Sequence, residues 1–245
     1  MGGSYPLGLR RRADCHLVHK TTPGGQACAP SSPDQPGYRK ADGGPFEGLR
    51  GADLAQQFKR AQEIEGKLLG AAVIIETTRL RLRPWREGDR GDFAAMHADP
   101  DVTVDYASGP LGRAQSNRKL DRYAFAFEQL GFCRWAVETP DGRFVGYTGV
   151  MPSREGHPLG AHYELGWRLM RSEWGRGYAT EAAKAALKDV FQRAGLSEVL
   201  AYAAADNTRS QAVMARLDLR RDPRRDFIAE DNAEPWAGLV WVASL

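Results

Sequence analysis

The sequence has few cysteines and no long apolar run. An odd number of cysteines spread over 245 residues excludes a disulfide framework and favours a reducing compartment; they are Cys15, Cys28 and Cys133. The apolar run at residues 68–75 has eight residues, far fewer than the roughly 20 that a membrane-spanning helix needs. The arginines at positions 10–12 are followed by no apolar core of the kind found in secretory signals. The sequence therefore predicts a cytoplasmic protein without a membrane partner.

A strong excess of charge of one sign is also missing. Residues 75–245 contain 24 basic and 24 acidic side chains, and residues 1–74 contain 10 basic and 7 acidic ones, which accounts for the net charge of +3. Binding of DNA or RNA normally needs clustered excess Lys and Arg, so nucleic acid is not expected as a ligand. The remaining composition, 42% hydrophobic and 27% charged, is typical of a globular protein.

The chain divides into three segments by composition. Residues 1–50 are 30% Gly and Pro, with 9 Gly and 6 Pro and no apolar periodicity, which predicts a disordered leader. Residues 51–74 have apolar side chains at helical spacing and predict a helical extension or linker. Residues 75–245 form the expected catalytic-size domain.

Strand and helix signals alternate after residue 75. Strands are predicted at residues 78–83, 132–138, 143–151, 162–169, 199–204 and 239–242, and helices at 87–98, 114–130, 179–194 and 210–217. The sequence Thr139–Gly142 predicts a hairpin turn between the second and third strands. This alternation predicts an α/β (α+β) architecture, a mixed sheet covered by helices on both faces. Three tryptophans are expected in the core, with a cleft-facing Trp135 as the alternative; they are Trp85, Trp135 and Trp167.

Residues 174–181, Trp-Gly-Arg-Gly-Tyr-Ala-Thr-Glu, predict a glycine-rich turn that leads into a helix. Glycines let the backbone approach a ligand closely, and the first N–H groups of a helix have no acceptor within the helix, so a pyrophosphate fits there. Packing of the helix on a strand is the other explanation of such glycines. A P-loop needs Gly-Lys-Ser/Thr, whereas Gly177 is followed by Tyr178. A dinucleotide fingerprint needs Gly or Ala where this chain has Thr180.

Four ordered stretches resemble the GNAT superfamily of acetyl-CoA-dependent N-acetyltransferases. They are Arg-Leu-Arg-Leu-Arg-Pro-Trp at 79–85, Glu-Leu-Gly-Trp-Arg-Leu at 164–169, the glycine turn at 174–182, and Asn-x-x-Ser at 207–210 with the helix up to Leu217. The resemblance covers roughly residues 75–245 and is to the subgroup that contains the Rim-type ribosomal-protein alanine N-acetyltransferases. It implies a mostly antiparallel central sheet with helices on both faces, splayed between strands four and five.

The resemblance also implies acetyl-CoA as co-substrate, with its diphosphate at the glycine turn and its pantetheine arm paired with the fourth strand. An asparagine at the start of the last helix is implied to contact the coenzyme. The implied coenzyme-binding residues are Leu165, Gly166, Trp167, Arg168, Leu169, Trp174, Gly175, Arg176, Gly177, Tyr178, Ala179, Thr180, Asn207 and Ser210.

The implied reaction is direct attack of an amine on the acetyl thioester, without a covalent enzyme intermediate. Glu164 is the candidate base, because burial raises the basicity of a carboxylate, although it could instead anchor the substrate ammonium or be solvated. The N–H of Gly166 or Trp167 would stabilise the carbonyl oxygen. Ser210 is the candidate group beside the departing sulfur, and capping of the helix by Asn207 and Ser210 is the alternative.

Other features leave part of this interpretation open. The tyrosine that many relatives use as an acid is missing between Tyr202 and the end of the chain, so the general acid is unassigned. Asp218 stands where relatives have a glycine, so that the turn lacks its usual positive-φ residue. His157 and His162 are isolated, which predicts surface residues and no metal site.

Two function classes remain at this point. The first is an acetyltransferase acting on a protein N-terminus or a small amine, as a monomer or homodimer. The alternative is a non-catalytic CoA-sensing or partner-binding module on the same fold.

Overall fold

The computed structural model describes residues 73–105, 109–231 and 234–244. The predicted leader and nearly all of the predicted helical extension lie outside these ranges. Within them, no helix combines the length and apolarity needed to cross a bilayer. The elements are β1 Ile75–Glu76, β2 Arg81–Arg83, α1 Arg90–Ala98, α2 Arg113–Leu130, β3 Arg134–Glu138, β4 Phe144–Pro152, β5 Tyr163–Leu169, α3 Tyr178–Gln192, β6 Glu198–Ala204, α4 Thr208–Arg216, β7 Arg220–Arg221, β8 Phe227–Asp231 and β9 Glu234–Ser244.

One sheet contains all nine of these strands, in the order β1-β2-β3-β4-β5-β6-β9-β7, with β8 also paired to β9. Neighbouring strands are antiparallel except β5 and β6, which are parallel. The predicted mixed and mostly antiparallel sheet is thus confirmed.

The sheet opens between β5 and β6. Their register contains a single pair, Glu164 with Leu200, whereas β4 pairs with β5 from Gly146–Leu169 to Pro152–Tyr163. Beyond Glu164 the two strands diverge, so that the edge of β5 from Leu165 to Leu169 has no partner in β6. This confirms the predicted splay between the fourth and fifth strands of the sequence analysis.

Helices cover both faces of the sheet, as predicted. Side chains of α3, among them Ala182, Ala183 and Ala186, pack with Leu165 and Leu169 of β5 in one buried cluster. A second cluster joins α1 and α2 to the opposite face; it includes Phe93, Met96, Leu120, Tyr123 and Tyr147. Because side chains alternate along a strand, Glu164, Gly166 and Arg168 lie on the α1 and α2 face.

The elements differ from the sequence prediction in several places. The predicted helix 87–98 begins with a 3-10 turn, Glu87–Asp89, before α1, and a second such turn, Arg171–Glu173, precedes the glycine turn. The predicted closing strand 239–242 is the longer β9, which pairs with β8 and β7. β8 was missed because its Glu230 and Asp231 belong to residue types that are rare in strands, and only pairing with β9 makes the segment extended.

The aromatic core agrees with the sequence prediction. Trp135 is fully buried and packs edge to face against Phe127 at 5.5 Å, so the cleft-facing alternative is wrong. Trp85 and Trp167 are partly buried against the two core clusters.

The turn after α4 has a positive φ without a glycine. Asp218 adopts φ 57°, and its N–H donates to the carbonyl of Ala215 at 3.1 Å while that of Leu219 donates to Met214 at 3.1 Å. These two bonds form a Schellman motif, in which the residue at Asp218 must be left-handed. The expected lack of a positive-φ residue is therefore wrong, since Asp tolerates this conformation better than most side chains.

Replacement of Asp218 by Gly should stabilise the protein. We expect the free energy of unfolding to rise by about 0.5–1 kcal/mol, because glycine removes the strain of a left-handed side chain. Chemical denaturation of the variant and the wild type measures the difference. The control is Asp206→Gly, in an exposed turn with ordinary φ, which should not stabilise; an equal gain there would contradict the explanation.

Candidate active site

The glycine turn before α3 is exposed and left-handed at two positions. Gly175 has φ 75° and Gly177 has φ 78°, a conformation that glycine adopts without strain. A Cβ on Gly175 would meet nothing within 4 Å. Close packing therefore does not explain Gly175. The two glycines are needed because the backbone of the turn is left-handed at both positions.

The turn presents unused backbone donors to solvent. The first bond of α3 runs from the N–H of Glu181 to the carbonyl of Gly177, at 3.1 Å. The N–H groups of Tyr178, Ala179 and Thr180 precede it and have no acceptor within the helix. With the positive end of the helix dipole behind them, they form a site that suits a diphosphate.

Two arginines that the sequence analysis did not single out flank this turn. The guanidinium of Arg209, from α4, lies 4.2 Å from the ring centre of Trp174, and Arg79 lies 4.9 Å from that of Tyr178. The Nε1 of Trp174 donates to the carbonyl of Leu169 at 3.1 Å, which ties the turn to the end of β5. No local pattern could have found either arginine, because each reaches the turn from a distant part of the chain.

Glu164 lies at the point where β5 and β6 separate. Its Oε1 accepts a hydrogen bond from the Arg134 guanidinium, and its Oε2 accepts one from the hydroxyl of Tyr202. Tyr202 is on β6, two residues beyond the last residue paired with β5. The Glu164 side chain keeps 24% of its surface exposed, so a ligand in the gap can reach it.

The charge of Glu164 is set by these two partners. Burial raises the pKa of Glu164, but the Arg134 guanidinium and the Tyr202 hydroxyl outweigh it and hold the pKa below its ordinary value. The expectation that burial would make this carboxylate more basic is therefore wrong in direction. Burial and the neighbouring Glu164 charge raise the pKa of Tyr202, so the phenol keeps its proton. The catalytic role of Glu164 stays a prediction.

Arg134 is a buried cation beneath β5. It is 4% exposed and also donates to the carbonyls of Gly149 and of Glu164, the latter at 3.1 Å. A Cβ on Gly166 would lie 2.8 Å from its Nη2, which explains a glycine at that position of the strand. β3 has two charged residues, Arg134 and Glu138, at the ends of an otherwise apolar strand, and this was a usable signal for buried partners. The sequence does not say which residues those partners are.

The start of α4 is capped as the alternative interpretation expected. The Oδ1 of Asn207 accepts a hydrogen bond from the N–H of Ser210 at 3.1 Å, an N-cap in the usual geometry. This bond leaves the side-chain NH₂ of Asn207 available to a ligand. The proposed roles of Asn207 and Ser210 toward a coenzyme stay predictions.

Three of the predicted coenzyme-binding residues of β5 have side chains engaged elsewhere and can contribute only through the backbone edge of the strand. Leu165 and Leu169 are buried in the core. The Arg168 side chain turns away to the loop after α1, where it bonds to the carboxylate of Asp105 at 2.9 and 2.7 Å and to the carbonyl of Val102. The structure thus brings together the turn, the free edge of β5 and the start of α4.

The two histidines are neither isolated nor on the open surface. The His157 and His162 rings are half-buried with centres 4.7 Å apart, and His157 also contacts Tyr202 and Phe227. Burial lowers the pKa of His157 to about 4, so it is neutral at pH 7. In the ranges that the structure describes, no group of three or more His, Cys, Asp or Glu residues could hold a metal ion.

Comparison with known proteins gives a family match over most of this site. Residues 79–220, more than half of the 245, match the model of the acetyltransferase (GNAT) domain. The chain is 30% identical over 148 residues to the FsC-acetyl coenzyme A-N(2)-transacetylase of Aspergillus fumigatus, which spans 58% of this chain and 62% of that protein.

Solved structures share the fold. A GNAT-family acetyltransferase from Bacillus anthracis has a TM-score of 0.59 at 22% identity, over 70% of this chain and 98% of that one. The ribosomal-protein acetyltransferase RimL in complex with coenzyme A has a TM-score of 0.56 at 16% identity, over 71% of this chain and 98% of that one.

Loss of the Tyr202 hydroxyl should destabilise the protein in a pH-dependent way. We expect Tyr202→Phe to lower the free energy of unfolding by about 1.5–3 kcal/mol at pH 7, because a hydrogen bond to a charged group is lost. Since the folded-state pKa of Glu164 is lowered, its stabilising contribution is present above the unfolded-state pKa and is lost as the pH falls through the folded-state value, which lies below 4.5. The difference between variant and wild type should therefore shrink below about pH 4.

The matched control is Tyr163→Phe. The Tyr163 hydroxyl is buried and has no hydrogen-bond partner among the described residues, so removing it should cost nothing at either pH. Denaturation curves at pH 7 and at about pH 3, below the ordinary carboxylate pKa, measure both variants. A Tyr202→Phe deficit that is the same at the two pH values would contradict the link to the Glu164 charge.

Proposed function

The chain belongs to the GNAT acetyltransferase family, and from that premise we propose that it transfers the acetyl group of acetyl-CoA to a primary amine by direct attack in a ternary complex. Membership makes it an acyl-CoA-dependent N-acetyltransferase, the first of the two function classes. A protein N-terminus or a small amine is the proposed acceptor. The observation that carries the proposal is the position of Glu164 at the gap whose far end is the glycine turn.

The residues around the gap suit the coenzyme. The N–H groups of residues 177–180 would hold the diphosphate. The unpaired edge of β5 would form strand-like hydrogen bonds with the pantetheine arm, and the side-chain NH₂ of Asn207 would add a donor beside it. The coenzyme supplies the acetyl thioester; orientation and proton transfer fall to the protein.

Glu164 is proposed to act on the acceptor amine. Because its carboxylate is ionised and partly exposed, it attracts the ammonium form of the acceptor into the gap. Arg134 donates to one carboxylate oxygen of Glu164 and Tyr202 to the other, and each oxygen keeps a further lone pair for the substrate. The same carboxylate accepts a proton from this ammonium, directly or through one water, so that the neutral amine can attack the thioester. The second proton, which the nitrogen loses after the attack, passes to the departing thiolate, so that CoA leaves as a thiol.

Two other groups complete the proposed machinery. The N–H of Gly166 or Trp167, on the free edge of β5, would stabilise the negative charge that develops on the carbonyl oxygen. The hydroxyl of Ser210, in the first turn of α4, is proposed to lie near the departing sulfur and to assist its release as a thiol.

The remaining proposals concern the setting of the reaction. The catalytic domain is placed at residues 75–245, preceded by the leader 1–50 and the extension 51–74. The cysteine content favours the cytoplasm as the proposed location. The active form is proposed to be a monomer or homodimer.

Release of free CoA thiol tests the reaction. Incubated with acetyl-CoA and a panel of amines and N-terminal peptides, the wild type should release thiol with at least one acceptor. Glu164→Gln should lower kcat about a hundredfold, the usual scale of a lost proton acceptor, with the CoA Kd nearly unchanged. The control is Glu155→Gln, an exposed acid in the β4–β5 loop, which should turn over like the wild type. Unaltered turnover of Glu164→Gln would eliminate this residue as the base.

Gly177→Val tests the diphosphate site. Valine at φ 78° is strained and would displace the N–H groups of the turn, so the CoA Kd measured by calorimetry should rise at least about tenfold. Gly156→Val is the control, because Gly156 has φ 72° in the exposed β4–β5 loop and a Cβ there meets nothing within 4 Å. Equal CoA affinity of the two variants would place the diphosphate elsewhere.

A further inference from the structure

An acidic residue lies in the first turn of α3, where the proposed function places a negatively charged diphosphate. Glu181 donates the first helical N–H to Gly177, so its side chain emerges one turn from the site. Hydrogen bonds from its neighbours outweigh burial and hold the pKa of Glu181 below its ordinary value, so it is ionised at neutral pH. An unscreened carboxylate there would repel the coenzyme.

Arg79 and Thr77 enclose this carboxylate. The Arg79 N–H donates to Oε1 at 2.9 Å and its Nε to Oε2 at 2.7 Å, and the Nη2 also lies 2.6 Å from Oε2. The Thr77 hydroxyl donates to Oε1 at 2.7 Å. The Glu181 side chain is only 19% exposed, whereas Arg79 is 48% exposed. The guanidinium therefore lies on the solvent side of the carboxylate and neutralises it.

The same guanidinium contacts the turn itself. The Arg79 Nη1 donates to the carbonyl of Arg176 at 2.9 Å, and its guanidinium carbon is 4.9 Å from the ring centre of Tyr178. A Cβ on Gly177 would come within 3.4 Å of Nη2. By donating to the Glu181 carboxylate and to the Arg176 carbonyl, Arg79 offsets one full and one partial negative charge beside the turn.

We propose that Arg79 is a positioning residue for the coenzyme: it acts through Glu181, neutralising that carboxylate so that the start of α3 can accept a diphosphate. This inference rests on the proposed function of the glycine turn. The inference gives a function to Arg79, the first of three alternating arginines. The other two pair with acids away from the turn: Arg81 with Glu76, and Arg83 with Asp89 and Glu138. The proposed role of Arg79 is carried by its contacts with Glu181 and Arg176 and includes no contact with the reacting atoms.

A double-mutant cycle on CoA affinity tests the inference. The measurement is the Kd of CoA by calorimetry for the full-length wild type, Arg79→Met, Glu181→Gln and the double variant. Arg79→Met should raise the Kd about tenfold, because an ionised acid is left facing the site. In the Glu181→Gln background the same change should have little effect, so the double variant should bind CoA within about twofold of the wild type.

Arg81→Met is the matched control. Arg81 lies two residues along on β2 and forms an exposed ion pair with Glu76 at 2.7 Å, so this change removes the same charge away from the turn. It should leave the Kd unchanged. If Arg79→Met does not fold, Glu181→Gln carries the test alone and should bind CoA at least as tightly as the wild type.

The outcomes separate the inference from the proposed function. Wild-type protein that does not bind CoA would defeat the proposed function before any variant is compared. With wild-type binding established, an Arg79→Met variant that binds like Arg81→Met would overturn the inference. So would a double variant as weak as Arg79→Met, since Arg79 would then act on the phosphates directly, and so would weakened binding by Glu181→Gln alone.

Discussion

The divergence of β5 from β6 is the constraint on which the rest of the molecule depends. Backbone N–H and carbonyl groups inside a sheet need partners, and here the edge of β5 has no partner in β6 after Glu164. A ligand that contains amide groups can form hydrogen bonds with the N–H and carbonyl groups of this edge, as a neighbouring strand would. The sheet on either side, from β1 to β5 and from β6 to β9, holds the two borders of the gap apart.

Arginine side chains fix the charges around this gap. Arg134 pairs with Glu164 inside the sheet, and Arg79 pairs with Glu181 at the start of α3. In both pairs an ionised carboxylate lies close to a proposed ligand group, but only Glu164 faces an expected cation. The carboxylate that faces the expected anion is the one whose outer side is covered by its arginine. The electrostatics of the site are therefore set before any ligand arrives.

Local patterns in the sequence predicted the parts of this structure that depend on local interactions. Apolar spacing located α3, and glycine spacing located the turn at Gly177, because both follow from the backbone of one segment. The partners of Glu164 were not predictable, since Arg134 is thirty residues away and Tyr202 reaches it from β6. The predicted direction of the Glu164 pKa shift was wrong because these two partners, and not burial, decide it. At Asp218 a local pattern misled the prediction: the turn is left-handed there although the residue is not a glycine.

The single parallel pair in the sheet has a topological consequence. Two antiparallel neighbours can be joined by a tight hairpin. Parallel neighbours need a crossover segment that carries the chain from the end of the first strand back to the edge of the sheet where that strand began. Between β5 and β6 that segment is α3, which must begin beside the end of β5 where the strands have already separated. The parallel direction of β5 and β6 thus places the start of α3, with its free N–H groups, beside the gap between the two strands. The edge of β5 and the start of α3 are adjacent because they follow each other in the chain.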